Sequence, residues 1–313
     1  MKIDKRSKMY DLSQLQTENR TPKSEAIQFY SAYPNIGNYL PVMGIKKILG
    51  SKRSTDLWNV HDDNIDWDFV NQKYSWAVIG GAGLLYGAFE TFWNQFSKFC
   101  EIPYIVWGIG ACFPDSEIDP CVTPSVAKPV LEGAELVNLR DTMTAQHYDL
   151  EAPHISPCPT VAYLEDRVAN SPTGNNRLLY SSHIETVDKE ERKRIYRLLE
   201  RTNYNIEYTD NIEKRVEGLE DIITKYENSS IVVTTRLHGA IIAYALGKPY
   251  IALARDEKVR AFHRLYGNGK LLEKVEKLKK EIKSSIKIEK KPIEYESVYE
   301  FGRRVKKWKK TKI

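Results

Sequence analysis

At 313 residues the chain is long enough for two compact domains of ordinary size. Its 42% hydrophobic and 11% aromatic content excludes an intrinsically disordered protein, and no apolar run reaches the roughly 18 residues of a membrane span. The net charge of +5 hides an asymmetry: residues 270–313 hold 16 Lys/Arg and 7 Asp/Glu, or +9, leaving 31 basic and 35 acidic residues, or −4, for the rest. That distribution does not favour a nucleic-acid-binding protein, which would spread basic residues across a folded face.

In chain order, "MKIDKRSKMYDLSQLQTENRTPKSE" is a polar extension without the apolar core of a signal peptide. "AIQFYSAY" reads as a first strand, and "NYLPVMGIKKIL" as a helix reached through a Pro34–Asn35–Ile36–Gly37 turn. "SWAVIGGAG" and "PYIVWGIGA" read as buried strands ending in glycine. "AELVNLRD" is another strand, with Asp141 or Thr142 placed to cap the helix after it. "APHISPCPTVAYL" closes this half as a final strand region, and "ANSPTGNN" has the composition of a linker.

Beyond the linker the alternation restarts. "RLLYSSH" and "NIEYTD" read as strands, "DKEERKRIYRLLERT" as a helix capped by Asp188, and "EGLEDIITKYEN" as a second helix. "IVVTTRLHGAIIAYALGKPYIAL" is then a strand–helix–strand unit, its helix stopped at Gly247 with Pro249 beyond. "KLLEKVEKLKKEI" has the apolar stripe of an amphipathic helix, and "YESVYEFGRRVKKWKKTKI" spaces Val298, Phe301, Val305 and Trp308 at helical intervals among basic residues. Two runs of β-α alternation predict an α/β protein with two Rossmann-like domains facing a cleft. The expected division is an extension (1–24), an N-terminal domain (25–168), a C-terminal domain (169–269) and a basic helical tail (270–313). That tail either packs back across the domains or attaches to anionic lipid headgroups.

The chemistry concentrates at the Thr-Thr-Arg-Leu-His-Gly turn. Ligands in such sheets bind beyond the carboxyl ends of strands, where the next helix offers free N–H groups and a positive dipole. Arg236 and His238 fall there. In an extended chain residues two apart share a side, so both can point into one anion site, and Gly239 leaves the helix start bare for close approach. Isolated, an Arg at a strand end is commonly a surface ion pair and a His beside an apolar helix a structural residue.

This stretch resembles the C-terminal signature of the polysaccharide pyruvyl transferase family. "NIGN" (Asn35, Gly37 and Asn38 within it) resembles the family's Asn-x-Gly-Asp loop, with Asn38 where the family usually has Asp. "VIGGAGLLY" and "VWGIGACFP" resemble its glycine-rich strand ends, and "VNLRD" its Arg-Asp element. The resemblance spans about residues 27–262 and implies a GT-B-like fold. It also implies transfer of pyruvate from phosphoenolpyruvate to sugar hydroxyls of a surface-polysaccharide precursor, as a ketal.

On that reading Arg236, Leu237, His238 and Gly239 bind the donor, with Arg140 as a contact from the other domain. His238 is the candidate acid; Asp141, His183 and Glu185 are candidates for the base, Asp141 having a cap as its alternative role. Asn35, Gly37, Asn38, Gly81 and Gly83 face a saccharide acceptor, since glycine at strand ends allows close backbone approach. The co-substrate is phosphoenolpyruvate; neither cofactor nor metal is expected, because no ligand spacing is present. The four cysteines lack paired spacing and fit reduced thiols in a cytoplasmic protein, with peripheral contact at the inner membrane face through the tail. Two alternatives stand beside this: a GT-B-like glycosyltransferase using a nucleotide sugar, and a non-catalytic carbohydrate-binding protein of the same fold.

Overall fold

The computed structural model describes residues 21–51, 54–112, 121–170, 176–184, 186–267, 269–285 and 292–313. The chain divides into two units, one running to Tyr163 and taking in Glu294–Ile313, the other Leu164–Ile293.

The first unit alternates strand and helix: β1 (Ala26–Tyr30), α1 (Ile36–Leu49), β2 (Asp56–Asn59), α2 (Trp67–Lys73), β3 (Trp76–Gly80), α3 (Glu90–Phe99), β4 (Tyr104–Ile109), α4 (Pro124–Glu132), β5 (Leu136–Leu139), α5 (Thr142–His147), β6 (His154–Ile155) and α6 (Thr160–Leu164). Its sheet is parallel, in the order β2-β1-β3-β4-β5-β6. Parallel strands covered by helices on both faces must be apolar throughout, and β1 and β3 are buried at all five positions. Ile27, Phe29, Ala77 and Ile79 belong to a large cluster that includes Phe92, Trp93 and Phe96 of α3. Ala26, Trp76, Val78, Ile105 and Trp107 belong to a second cluster with Ile45 and Ile48 of α1.

The second unit comprises β7 (Arg177–Ser181), α7 (Lys189–Glu200), β8 (Asn205–Thr209), α8 (Leu219–Asn228), β9 (Ile231–Thr234), α9 (Leu237–Ala245), β10 (Tyr250–Leu253), α10 (Glu257–Tyr266), β11 (Lys270–Leu272) and α11 (Leu278–Ser285). The sheet order is β11-β10-β9-β7-β8, again all parallel. Two α/β units of this kind match the expected fold class.

Several local expectations are corrected. Strand β2 was not foreseen: its ends, Asp56 and Asn59, are polar yet buried, because Asp56 accepts from Lys23 N (2.8 Å) and Tyr74 Oη (3.2 Å), and Asn59 Oδ1 from Ala32 N (3.0 Å). The final strand region of the first half shrinks to the two residues of β6, followed by helix α6. "KLLEKVEKLKKEI" is not one helix. Lys270–Leu272 pairs in register with Ile251–Leu253 of β10, and helix begins again only at Leu278. An unpaired edge of β10 offers backbone hydrogen bonds that outweigh the helical periodicity of three residues.

The basic tail likewise divides. Residues 270–285 complete the second unit, whereas α12 (Glu296–Lys312) belongs to the first. Val298, Phe301, Val305 and Trp308 of α12 join the cluster of Trp76 and Trp107. Gly302 makes the approach close: a Cβ there would lie 2.2 Å from Ile48 Cγ2 of α1.

Candidate active site

In the second unit the carboxyl ends of β7, β9 and β10 gather a set of polar and basic side chains. Arg236, 6% exposed, is the residue before α9; its N–H donates to Thr234 Oγ1 (2.9 Å) and its guanidinium Nη1 to Ser182 O (3.2 Å). The backbone of Arg236 is extended, with φ −109° and ψ 139°. His238 is already the second residue of α9, so extended-chain alternation does not relate the two side chains; they leave the backbone from different conformations at one helix start.

The N-terminus of α9 has no side-chain cap, unlike α1, α2, α5, α7 and α10, whose caps are Asn35, Asp66, Asp141, Asp188 and Asp256. Its first N–H groups are the donors an anion would meet. Leu237 is buried and adds apolar packing beside this start. Gly239 has a packing cause: a Cβ there would sit 2.1 Å from Thr234 Oγ1 and 2.8 Å from Ser181 Oγ. Ser181 Oγ belongs to a buried network in which Tyr226 Oη donates to Asn211 Oδ1 (2.8 Å) and lies 2.7 Å from Ser181 Oγ.

Two residues complete the group. His183, at the end of β7, is buried; its N–H donates to Thr235 Oγ1 (2.7 Å) and its Nδ1 accepts from Thr186 N (3.3 Å). Burial first, then the Arg236 and Lys258 charges, push its imidazole down to about 2, so it is neutral. A proton-accepting Nδ1 leaves the ring proton on Nε2. Lys258, buried in the first turn of α10, was missed in the sequence. It lies 3.6 Å from Asp256 Oδ2, while Asp256 Oδ1 caps α10 through Val259 N (3.0 Å). The available signal was a lysine in a first helical turn, where the dipole disfavours a cation, one strand further along the sequence from another cation at a strand end. Glu185 lies outside the described residues.

In the first unit, Arg140 and Asp141 form a closed circuit. Asp141 Oδ1 caps α5, accepting from Thr144 N (2.8 Å) and Thr144 Oγ1 (2.6 Å), and its Oδ2 lies 3.5 Å from Arg140 Nε. Arg140 Nη2 donates to Ala111 O (3.3 Å), and Ala111 N donates to Thr144 Oγ1 (2.8 Å). Both charged groups are buried. They fasten the end of β4 to the start of α5, and one oxygen of Asp141 is committed to the cap.

The glycines of these loops also have protein neighbours. A Cβ on Gly110 would lie 2.3 Å from Arg140 Nε, one on Gly83 2.1 Å from Cys112 Sγ, and one on Gly81 (φ +90°) 2.8 Å from Pro41 Cβ. The close approach they allow is to this chain's own side chains. Next to Gly81, Ala82 is held at φ 66° and its carbonyl accepts from Gly110 N (3.2 Å).

Asn35 caps α1 by accepting from Gly37 N (2.9 Å), and Gly37 is buried in the first turn. Asn38 is in that turn too, its Nδ2 donating to Ser31 Oγ (3.2 Å) and Tyr33 O (3.3 Å). An Asp here could donate neither bond and would face a carbonyl oxygen. Ser31 Oγ also lies 2.8 Å from His61 Nε2, whose imidazole burial pushes down to about 4.

Among solved structures the chain is similar to the UDP-GlcNAc 2-epimerase of Methanocaldococcus jannaschii in complex with UDP-GlcNAc and UDP: TM-score 0.60, 12% identity, 91% of this chain and 99% of that one. A second structure of that epimerase gives TM-score 0.59 and 13% identity over 91% and 99%. A candidate UDP-N-acetylglucosamine 2-epimerase of Listeria monocytogenes gives 0.53 and 11% over 90% and 91%. At these identities the likeness establishes the GT-B-like fold alone. No curated protein sequence matches. A family model, by contrast, matches residues 35–257, a span holding the Asn38 turn, the Arg140–Asp141 circuit and the α9 start; the chain belongs to the polysaccharide pyruvyl transferase family.

Proposed function

We propose that the protein transfers the pyruvyl group of phosphoenolpyruvate onto two hydroxyls of a saccharide acceptor in surface-polysaccharide assembly, forming a pyruvate ketal and releasing phosphate. The observation that carries this reading is the uncapped start of α9, flanked by Arg236, Lys258 and neutral His183, in a chain of this family. Phosphoenolpyruvate presents a carboxylate and a phosphate on a three-carbon frame. Arg236 offers a planar fork for either group, Lys258 a point charge, and His183 an Nε2–H donor that adds no charge.

The chemistry begins with proton delivery to the methylene carbon, for which His238 is the proposed acid. One sugar hydroxyl then adds to the carbon bearing the phosphate and loses its proton. Phosphate departs with the C–O bonding pair, the second hydroxyl closes the ketal, and its proton leaves. Two protons are released by the hydroxyls and one is consumed at the new methyl group, so the balance leaves with phosphate or solvent. Cationic groups at the phosphate favour the step in which charge accumulates on the leaving oxygen. As bases the candidates differ: Asp141 has one oxygen engaged by its cap, and His183 accepts at Nδ1 from Thr186 N while burial and the Arg236 and Lys258 charges disfavour its protonated form. Such a donor places the reaction in the cytoplasm.

A nucleotide-sugar reading draws on the same helix start, because the similar M. jannaschii epimerase is a structure with UDP-GlcNAc and UDP. Calorimetry on the full chain separates the two: phosphoenolpyruvate should bind in the micromolar-to-millimolar range of enzyme substrates, with phosphate released when acceptor saccharide is added. Binding of UDP-sugars with none of phosphoenolpyruvate would reject the proposal, and binding without phosphate release would leave a non-catalytic carbohydrate-binding protein.

A further inference from the structure

The exposed face of α12 is cationic from Arg303 to its end. Arg303, Arg304, Lys306, Lys307, Lys310 and Lys312 are all exposed, and among the described residues only Arg303 of these six has an ion-pair partner, Glu296. The opposite face is already used: Val298, Phe301 and Val305 are fully buried, and Trp308 is buried with its indole N–H donating to Glu135 Oε2 (3.2 Å). A free amphipathic helix binds membranes by sinking its apolar face into the acyl boundary. Here that face is occupied by the sheet, so only charge is presented.

Beside this helix a cavity of about 400 Å³ is lined by Glu25, Leu49, Trp76, Val305, Lys306 and Lys309, among others. Lys309 pairs with Glu25. Two buried donors in the lining, Trp76 Nε1 and Ser54 Oγ, have no hydrogen-bond partner among the described residues. This lining sits at the amino-terminal ends of β1 and β3, the end of the sheet remote from the Arg140–Asp141 circuit.

We propose that this face of α12 is a docking surface for an anionic lipid bilayer, held by electrostatic adsorption without insertion, with a headgroup phosphate seated in the cavity beside Lys306 and Lys309. A row of lysines on one straight helix, roughly 15 Å long over ten residues, matches a flat surface of many equivalent charges. It makes no groove for a nucleic-acid backbone. No large exposed hydrophobic residue stands within the row for base stacking; Ile313, at the chain end, is the one beside it. Residues 294–313 hold seven Lys/Arg and three Asp/Glu, or +4 of the +9 carried by residues 270–313.

The test is co-sedimentation of the full chain with vesicles of phosphatidylcholine alone, or with 30% phosphatidylserine, at 0.1 M and 1 M salt. Expected are binding to the anionic vesicles at 0.1 M, none to neutral ones, and loss at 1 M, where the screening length falls to about 3 Å. The exposed quadruple variant Lys306→Gln, Lys307→Gln, Lys310→Gln, Lys312→Gln should keep the thermal unfolding of the wild type and bind at least a hundredfold more weakly, as each charge contributes about fivefold. The proposal is overturned by full recovery in the supernatant, by equal binding of the quadruple variant, by binding that survives 1 M salt, or by preference for duplex DNA or RNA over anionic vesicles.

Discussion

At the scale of single residues, packing accounts for features that look like ligand chemistry. Gly81, Gly83, Gly110 and Gly239 all lack a side chain because protein atoms stand where one would go. What remains for chemistry is the charged group around α9. Arg236→Lys keeps the charge but loses the fork, so the turnover of phosphoenolpyruvate should fall at least tenfold. His238→Gln should lower kcat by roughly a hundredfold with a smaller change in donor binding if it is the acid; steady-state phosphate release measures both, and wild-type rates would remove the residue in question from the site. The depressed histidines carry a stability prediction. His183 titrates near 2 and His61 near 4 in the fold against an ordinary 6.5, so below pH 6.5 the unfolded chain binds more protons than the folded one. Stability is therefore lost as pH falls, by ~1.4 kcal/mol per pH unit and group, or ~2 kcal/mol each at pH 5. Urea midpoints at pH 7.5 and 5 for His61→Asn and His183→Asn should show a shallower pH dependence than the wild type; unchanged slopes would mean that these rings are charged in the fold.

At the scale of elements, the start of α9 and the seat of α12 depend on close contacts that a sequence pattern does not display. Helix α12 touches α1 through Gly302 and Ile48, and ring contacts join Trp308 to Trp76 (5.7 Å) and Phe301 to Trp107 (5.1 Å). Alanine is intrinsically better than glycine in a helix by about 1 kcal/mol, so an exposed Gly302 would be improved by the change. The contact reverses the sign: Gly302→Ala should destabilise by ~1–3 kcal/mol, as overpacked cores do. Combining it with Ile48→Ala should recover part of that loss in a double-mutant cycle of thermal denaturation. Additive losses would mean that α12 does not lie against α1 as described.

At the scale of the whole molecule, the last segment of the chain completes the first unit, while Leu164–Ile293 forms its own. Ending the chain at residue 293 should therefore expose Trp76, Trp107 and Ile48 and weaken β1, β3, β4 and α1. Hydrogen exchange should quicken in those elements and stay unchanged in β7 to β10; the reverse pattern would assign α12 to the second unit. The strand–helix alternation, the Asp141 and Asp188 caps and the α9 junction were legible in the sequence, because each rests on local periodicity or on a side chain reaching its own helix. The family, too, was carried by contiguous motifs. Tertiary structure alone decided that Lys270–Leu272 is a strand, that α12 returns to the first sheet, that Lys258 joins Arg236 and His183, and that the loop glycines make room for Arg140 and Cys112. Those outcomes depend on which distant backbone edge is unpaired and which distant side chain fills a space, and neither has a local signature in the order of the residues.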